Sequence, residues 1–170
     1  DPSGAFTTGA ALSAYVVTAA REHFNANLKD KRVVVFGANG PVGGCASIMC
    51  AKEGAEVLMV AHRDVARTQA IADKYNELYG VNLKCVDGTT EEKKAAIIAE
   101  AEVLLSCAAA GVRVISTAQL QNAKNLIIAA DVNAVPPSGI EGIDARSDAT
   151  PIKGADWALG LGALAIGSRK

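Results

Sequence analysis

A run of β-branched residues leads directly into closely spaced glycines and then into a segment rich in small residues, between positions 32 and 52. The central part, residues 33–44, has the sequence VVVFGANGPVGG. β-branched residues favour strands, whereas glycines permit a tight turn and a close contact between a helix and a strand. This pattern predicts a buried strand that passes through a tight turn into a helix, which is the opening of a βαβ unit.

The alternation of short aliphatic runs with longer amphipathic stretches continues along the chain, which is typical of an α/β domain. We therefore predict a Rossmann-like, doubly wound parallel sheet with helices on both faces. The predicted strands cover residues 32–36, 56–61, 82–86, 103–106 and 126–130, and the predicted helices cover residues 8–24, 41–53, 65–79, 90–101 and 116–122. Residues 131–154, rich in Pro, Gly and Asp, are expected to form an ordered loop, and residues 157–166 a sixth strand leading into a helix.

Composition narrows the classes of protein that fit this architecture. The 170 residues are 50% hydrophobic and carry 17 Lys and Arg against 18 Asp and Glu, a net charge of -1. That length suits one domain, or one domain with a short extension, and the charge gives no footprint for nucleic acid. No stretch approaches the roughly 20 apolar residues of a membrane span, and the N-terminus lacks the pattern of a secretory signal. We expect a soluble cytoplasmic protein that binds neither nucleic acid nor membranes.

The cysteines are four in number, Cys45, Cys50, Cys85 and Cys107, and they lack CxxC spacing; the chain has only two histidines. Such a set cannot supply a zinc site of the usual kind. We interpret the cysteines as reduced packing residues and predict no metal site. Cys107 is kept open for a catalytic or redox role, because it follows a predicted strand where a ligand could lie, although buried cysteine usually packs as a small hydrophobe.

The glycine turn predicts a binding site for a pyrophosphate. Gly37 permits the tight turn, Gly40 lets the backbone approach the anion, and Gly43 lets the helix lie close to the strand. Proline at the first helical position has no amide that would need an acceptor. The GxxGxxG spacing is one residue longer than the usual dinucleotide motif, and a structural turn that binds nothing is the alternative. The predicted contacts come from Gly37, Asn39, Gly40, Pro41, Val42 and Gly43.

The end of the second predicted strand indicates which dinucleotide binds. An NAD site usually has Asp or Glu there to hold the ribose 2′-hydroxyl, whereas this strand ends in His62 and Arg63. Arg63, with Arg67 one helical turn further on, suits a 2′-phosphate, so we predict NADP and expect His62 to contact adenine or ribose. Two alternatives stay open. In the first, the arginines are solvated cations at the helix start, with or without a pairing to Asp64. In the second, Asp64 holds a ribose hydroxyl and NAD is used as well.

Residues that follow the fourth and fifth predicted strands should complete the crevice, because ligands of doubly wound sheets cross the carboxyl ends of the strands. Small residues follow the fourth strand, and a carboxylate and an amide follow the fifth. We predict that these residues border the nicotinamide, with loop-building hydrogen bonds as the alternative for the polar pair. The residues concerned are Cys107, Ala108, Ala109, Ala110, Asp131 and Asn133.

Four segments resemble the NAD(P)-dependent methylene-tetrahydromethanopterin dehydrogenases. They are DPSGAFTTGA at 1–10, GPVG at 40–43, ADVNAVPPSGIEGIDA at 130–145 and GALAIG at 162–167. The first and third segments are far more specific than the glycine turn. The resemblance implies hydride transfer from the methylene group of a tetrahydropterin-bound one-carbon unit to the nicotinamide, in one-carbon metabolism, without a protein nucleophile. It matches Gly40, Pro41 and Val42 to the pyrophosphate turn, and Arg63 and Arg67 to the basic pair at the adenosine phosphate.

The resemblance also implies a domain organisation. Residues 1–30 would form a connecting helix and residues 31–170 the NAD(P)-binding domain, with a substrate domain that makes most pterin contacts outside this chain. The chain alone would then bind nucleotide without turnover. The carrier, tetrahydromethanopterin or tetrahydrofolate, is left open, as is the oligomeric state, a homo-oligomer included. The alternatives are a shikimate or methylene-tetrahydrofolate dehydrogenase-like enzyme, against which residues 130–145 argue, and a non-catalytic NADP-sensing domain.

Overall fold

Seven strands and six helices make up the chain in the computed structural model, which describes residues 1 and 3–170. The strands are β1 (Arg32–Phe36), β2 (Glu56–Ala61), β3 (Lys84–Asp87), β4 (Val103–Ser106), β5 (Ile128–Asp131), β6 (Asp148–Ile152) and β7 (Ala155–Leu161). The helices are α1 (Ala5–Phe24), α2 (Pro41–Lys52), α3 (Val65–Tyr79), α4 (Glu91–Ala99), α5 (Thr117–Leu120) and α6 (Ala163–Gly167).

The strands form one sheet in the order β3-β2-β1-β4-β5-β7-β6. All neighbouring pairs are parallel except β6 and β7, which are antiparallel. The chain winds outward in one direction from β1 and in the other from β4, so the predicted doubly wound sheet is confirmed. Because the order reverses between β1 and β4, a crevice opens at their carboxyl ends, where folds of this type bind ligands.

Both faces of the sheet are buried, and β1 shows why its sequence is continuously aliphatic. Val33 and Val35 face a core shared with α1 and α2, whereas Val34 and Phe36 face a second core on the opposite side. A strand that is buried on both faces needs apolar residues at successive positions rather than at alternate ones. The predicted bounds of β1, β2, β4 and α3 are confirmed.

Helix α1 packs against α2, β5 and α6. It begins at Ala5, three residues before the predicted start, because the Asp1 carboxylate accepts the amides of Ala5 and Thr7 at 3.1 and 3.0 Å. Its apolar face is buried, whereas Phe6 at its start is 64% exposed. Within residues 1 and 3–170, no helix combines the length and the apolar character that crossing a bilayer requires. The connecting role of residues 1–30 stays a prediction.

The largest correction concerns residues 131–154, which the sequence predicts to be loop throughout. Residues 148–152 instead form β6, an edge strand paired with β7. The segment lacks an aliphatic run because an edge strand is half solvated, and Pro151 is tolerated at an edge. The predicted strand at 157–166 is confirmed as β7 followed by α6, although it is the seventh strand rather than the sixth.

Smaller corrections concern element ends. Strand β3 covers Lys84–Asp87 rather than 82–86, because the Asn76 side chain accepts the amide of Leu83 and donates to its carbonyl, which ties that residue to α3. Helix α4 ends at Ala99, α5 is confined to Thr117–Leu120, and β5 begins at Ile128. Thr90, the first residue of the predicted helix, is the N-cap of α4, and its side chain accepts the amide of Lys93.

Candidate functional site

Two neighbouring cavities occupy the crevice at the carboxyl ends of β1, β2 and β4. The strand-end cavity, of about 380 Å³, has an apolar floor of Phe36 and Val60 and is closed on the far side by residues 108–114. The turn groove, of about 410 Å³, runs along the glycine turn and the residues that follow β2. The two cavities share Gly37, Val60, His62 and Arg63. Together they form one site between the glycine turn after β1 and the turn that joins β2 to α3.

The glycine turn has the geometry that its sequence predicts. Gly37 has a φ of 73°, and its carbonyl accepts the amide of Gly40 at 3.0 Å. A Cβ added at Gly43 would overlap the Gly37 carbonyl, so this glycine permits the close contact between α2 and β1. At Gly40 an added Cβ would meet only the Gly37 carbonyl oxygen, at 3.4 Å. Gly40 is therefore not required by the packing of the protein, and its free side faces the turn groove.

The N-terminus of α2 presents unpaired donors beside this turn. Gly40 is the N-cap and Pro41 the first helical residue. Within the part of the chain that the structure describes, the amides of Val42 and Gly43 have no hydrogen-bond acceptor. Free amides and the positive end of the helix dipole together favour an anion at this position.

The β2–α3 turn brings two cations to the other side of the groove. Arg63 and Arg67 are exposed and line it, and neither makes an ion pair with any described residue. The Asp64 side chain instead caps α3 by accepting the amide of Arg67 at 2.8 Å. Asp64 thus forms no ion pair with either arginine, and the alternative that Arg63 and Arg67 are solvated cations stays open. His62 is exposed and lines both cavities.

A hydrogen bond joins the two turns. The side-chain amide of Asn39 donates to the hydroxyl of Thr68 at 2.9 Å, and this hydroxyl donates to the carbonyl of Asp64 at 3.1 Å. Thr68 is fully buried in the first turn of α3. Sequence reasoning missed Thr68, because its only signal is a polar residue on the buried face of a helix.

The segment after β4 lies directly against the glycine turn. The amide of Cys107 donates to the carbonyl of Phe36 at 2.9 Å, and Ala108 and Ala109 line the strand-end cavity. Ala110 is exposed at the outer end of the segment. All four cysteines are free thiols, and burial raises the pKa of the Cys107 thiol above its ordinary value. A protonated thiol suits a packing residue better than a nucleophile.

Asp131, the last residue of β5 rather than the first after it as predicted, and Asn133, two residues further on, are buried and make loop hydrogen bonds. The two carboxylate oxygens of Asp131 accept the amides of Asn133 and Ile140, each at 3.0 Å. Asn133 accepts the amide of Val135 and donates to the carbonyl of Pro137. Burial raises the pKa of the Asp131 carboxyl. These bonds match the loop-building alternative, and contact with a nicotinamide stays a prediction for both residues.

The known proteins that this chain resembles include several dehydrogenases. A family model described as shikimate / quinate 5-dehydrogenase matches residues 18–142, which include both turns. The chain belongs to this dehydrogenase family. It is also 42% identical over 170 residues to the NAD(P)-dependent methylenetetrahydromethanopterin dehydrogenase of Methylorubrum extorquens, and 36% identical over 168 residues to the Bifunctional protein MdtA of the same organism. The predicted resemblance is confirmed.

The matches differ in how much of each protein they cover. The chain spans 57% of the length of each of these two curated relatives, while they cover 100% and 98% of the chain. Among solved structures, shikimate 5-dehydrogenase from Listeria monocytogenes, in complex with shikimate and NAD, has a TM-score of 0.59 at 17% identity. That match covers 94% of this chain and 54% of the other. At such identity it shows the shared fold.

This dehydrogenase-family chain also lines its strand-end cavity with residues that sequence reasoning missed. They follow the ends of β3 and β4 and include charged side chains at the rim. Arg113 is held by an ion pair with Glu141 at 2.8 Å, and Lys94 by one with Glu91 at 2.8 Å. The residues after β3 could have been found from the sequence, because they follow a strand whose carboxyl end lies at the same edge of the sheet. The sequence pattern there predicts only the start of a helix. The missed residues are Gly88, Glu91, Lys94, Val112, Arg113 and Val114.

Proposed function

We propose that this chain is the cofactor-binding domain of an NAD(P)-dependent oxidoreductase that acts on methylene-tetrahydromethanopterin. The reaction is hydride transfer to the nicotinamide, which leaves the methenyl form of the carrier. The 42% identity over all 170 residues to a dehydrogenase of that name is the observation that carries the proposal. The reaction belongs to one-carbon metabolism, and the second substrate is a tetrahydromethanopterin-type carrier.

The crevice suits a dinucleotide. The unpaired amides of Val42 and Gly43 and the open face of Gly40 would hold the pyrophosphate. The strand-end cavity, with its apolar floor, would take the adenosine beside His62. The opposite end of the dinucleotide would pass the small residues that follow β4 and reach the segment after β5. The further residues that would contact the dinucleotide along this path are Gly37, Asn39, Pro41, Cys107, Ala108, Ala109, Ala110, Asp131 and Asn133.

NADP is the cofactor that the charges favour. Arg63 and Arg67 face the turn groove without ion pairs to described residues, so a 2′-phosphate would supply the counter-charge. Asp64 keeps one carboxylate oxygen engaged as the cap of α3, which opposes its use as an acceptor for a 2′-hydroxyl. NAD would make the same contacts except those to the 2′-phosphate and would therefore bind more weakly.

Catalysis in this proposal rests on positioning. When bound, the nicotinamide accepts the hydride, and the pterin nitrogens stabilise the cation that remains on the one-carbon unit. The chain contributes a rigid crevice in which the turns of β1 and β4 touch, which fixes the orientation of the cofactor. No proton has to move in this step, so the proposal assigns no acid or base role to Cys107 or Asp131. Most pterin contacts would come from a domain outside residues 1–170.

A second candidate is dehydrogenation of a shikimate- or quinate-like substrate, favoured by the family model that matches residues 18–142. Calorimetric titration of the chain with NADP and with NAD tests the cofactor assignment, and tighter binding of NADP is expected. Assays of the whole protein with methylene-tetrahydromethanopterin, methylene-tetrahydrofolate and shikimate then test the substrate. NADP reduction with shikimate alone would replace the proposed reaction with the second candidate, whereas binding of neither nucleotide would contradict both.

A further inference from the structure

Thr68 lies between the two anion-binding turns without reaching either cavity. Its hydroxyl accepts from the Asn39 side-chain amide at 2.9 Å and donates to the Asp64 carbonyl at 3.1 Å. Asn39 belongs to the glycine turn, and Asp64 is the residue whose side chain caps α3 through the amide of Arg67 at 2.8 Å. Two hydrogen bonds thus link the glycine turn through Thr68 to the backbone of the β2–α3 turn at Asp64, and a third joins the Asp64 side chain to the amide of Arg67.

We propose that the Asn39–Thr68 hydrogen bond makes Thr68 a positioning residue that sets the preference for NADP over NAD. The inference rests on the proposed binding of NADP. Thr68 lines neither the strand-end cavity nor the turn groove, so an effect of Thr68 on binding has to act through the spacing of the two turns.

The physical reason is that NADP meets two anion sites at once. Its pyrophosphate occupies the α2 N-terminus and its 2′-phosphate meets the arginines, so the second contact gains from the first only if the spacing between the turns is fixed. NAD lacks the 2′-phosphate and uses one of these anion sites. Loss of the link should therefore weaken the binding of NADP while leaving that of NAD nearly unchanged.

The burial of Thr68 supports this interpretation. Thr68 is fully buried, whereas Asn39, Arg63 and Arg67 are exposed. An exposed hydrogen bond would compete with water, whereas the buried Thr68 hydroxyl is oriented by its bond to the Asp64 carbonyl and so presents its oxygen to Asn39 in a fixed direction. The exposed Asn39 side chain is thereby held against α3.

The test compares Thr68→Val with Thr68→Ser by calorimetric titration of NADP and NAD. Valine keeps the shape and removes the hydroxyl, and we expect a loss of about three- to tenfold in NADP affinity with less than about a twofold change for NAD. Serine restores the hydroxyl and should restore the preference. The matched control is Ser13→Ala, which removes another buried helical hydroxyl, bonded to the Gly9 carbonyl four residues earlier and to no second turn.

If Thr68→Val does not fold, Thr68→Ala, which also removes the hydroxyl, takes its place. Asn39→Ala removes the same bond together with the cofactor contact predicted for Asn39, so in a double-mutant cycle Thr68→Val should cause no further loss of NADP affinity in the Asn39→Ala background. Additive losses, equal losses for the two nucleotides, or no loss in Thr68→Val would each overturn the inference. Failure of the proposed function looks different, since Arg63→Ala would then leave the wild-type ratio of NADP to NAD affinity unchanged.

Discussion

Gly37 lies against the backbone of Cys107, at the point where the turns of β1 and β4 meet. The Cys107 amide donates to the neighbouring Phe36 carbonyl at 2.9 Å, and a Cβ on Gly37 would overlap the Cys107 carbonyl. The contact joins two segments that are adjacent in the sheet but separated by β2 and β3 in the chain. It holds the ends of β1 and β4 together at the base of the crevice.

Gly37→Ala should lower the free energy of unfolding by about 2 kcal/mol or more, because the φ of 73° disfavours a side chain and the Cβ has no room. Chemical denaturation measures the change. Gly80→Ala is the control: Gly80 has a φ of 63° and nothing within 4 Å of an added Cβ, so it reports the conformational effect alone. We expect about 1 kcal/mol there, and equal losses in the two variants would contradict the close contact.

Gly40→Val should abolish the binding of both NADP and NAD while leaving the protein folded. The added Cβ would meet only the Gly37 carbonyl oxygen, at 3.4 Å, and the valine methyl groups would then occupy the side of the turn that faces the groove. Titration and thermal unfolding measure the two properties. Gly43→Val is the contrasting variant, because it should lose stability through overlap with the Gly37 carbonyl. Binding of either nucleotide at wild-type affinity by Gly40→Val would contradict the pyrophosphate assignment.

Arg63→Ala should weaken NADP binding more than NAD binding, by on the order of 1 to 3 kcal/mol for a charge-assisted contact with phosphate. Its stability should not change, because Arg63 is exposed and makes no ion pair with described residues. Arg21→Ala, an exposed arginine on α1 away from the crevice, is the control for charge alone. Equal losses for the two nucleotides would remove the phosphate contact from the proposal.

Asp131→Asn should destabilise the protein by about 1 to 3 kcal/mol, because one of the two buried amides that the carboxylate accepts would face an NH2 group instead. Urea denaturation at neutral pH measures the change. Asp156→Asn, at an exposed aspartate, should stay within about 0.5 kcal/mol of wild type. A neutral effect at Asp131 would mean that the loop does not depend on these hydrogen bonds.

Tyr15→Phe should reduce stability in a pH-dependent way. The Tyr15 hydroxyl donates to Asp148, and with the Arg169 guanidinium it holds the pKa of that carboxyl below its ordinary value of 3.8. A carboxyl with a lowered pKa in the folded state contributes stability above its ordinary pKa and loses it as the pH falls through the folded value. The variant should therefore lose about 0.5 to 1 kcal/mol at neutral pH, because Asp148 is exposed, and less in acid.

The measurement is urea denaturation of wild type and Tyr15→Phe near pH 7 and near pH 3. Tyr79→Phe is the matched control, since the Tyr79 hydroxyl makes no hydrogen bond to a side chain or backbone group among residues 1 and 3–170. A difference between wild type and Tyr15→Phe that grows as the pH falls would contradict the assigned contact with Asp148.

The sequence predicted the elements that depend on neighbouring residues. The β1 run, the glycine turn and Pro41 specify strand, turn and helix within about twelve positions, because backbone preferences and the close approach of α2 act locally. It also predicted the bounds of β2, β4 and α3, because the two strands are uninterrupted aliphatic runs and α3 ends at a glycine, Gly80, that adopts the left-handed conformation of a helix C-cap. Strand β6 escaped prediction because a half-solvated edge strand has no such run.

What only the tertiary structure decided is which distant residues meet. Asn39 and Thr68 are 29 positions apart, and their hydrogen bond exists because parallel β1 and β2 bring two turns to the same edge of the sheet. The same applies to residues 112–114, which reach the strand-end cavity only after the chain folds back beyond β4. Asp131 and Asn133 are polar in sequence, but whether they face a ligand or the loop depends on residues 135–140 packing over them. Local preference specifies the pieces, whereas long-range packing decides which of their polar groups are left free to bind.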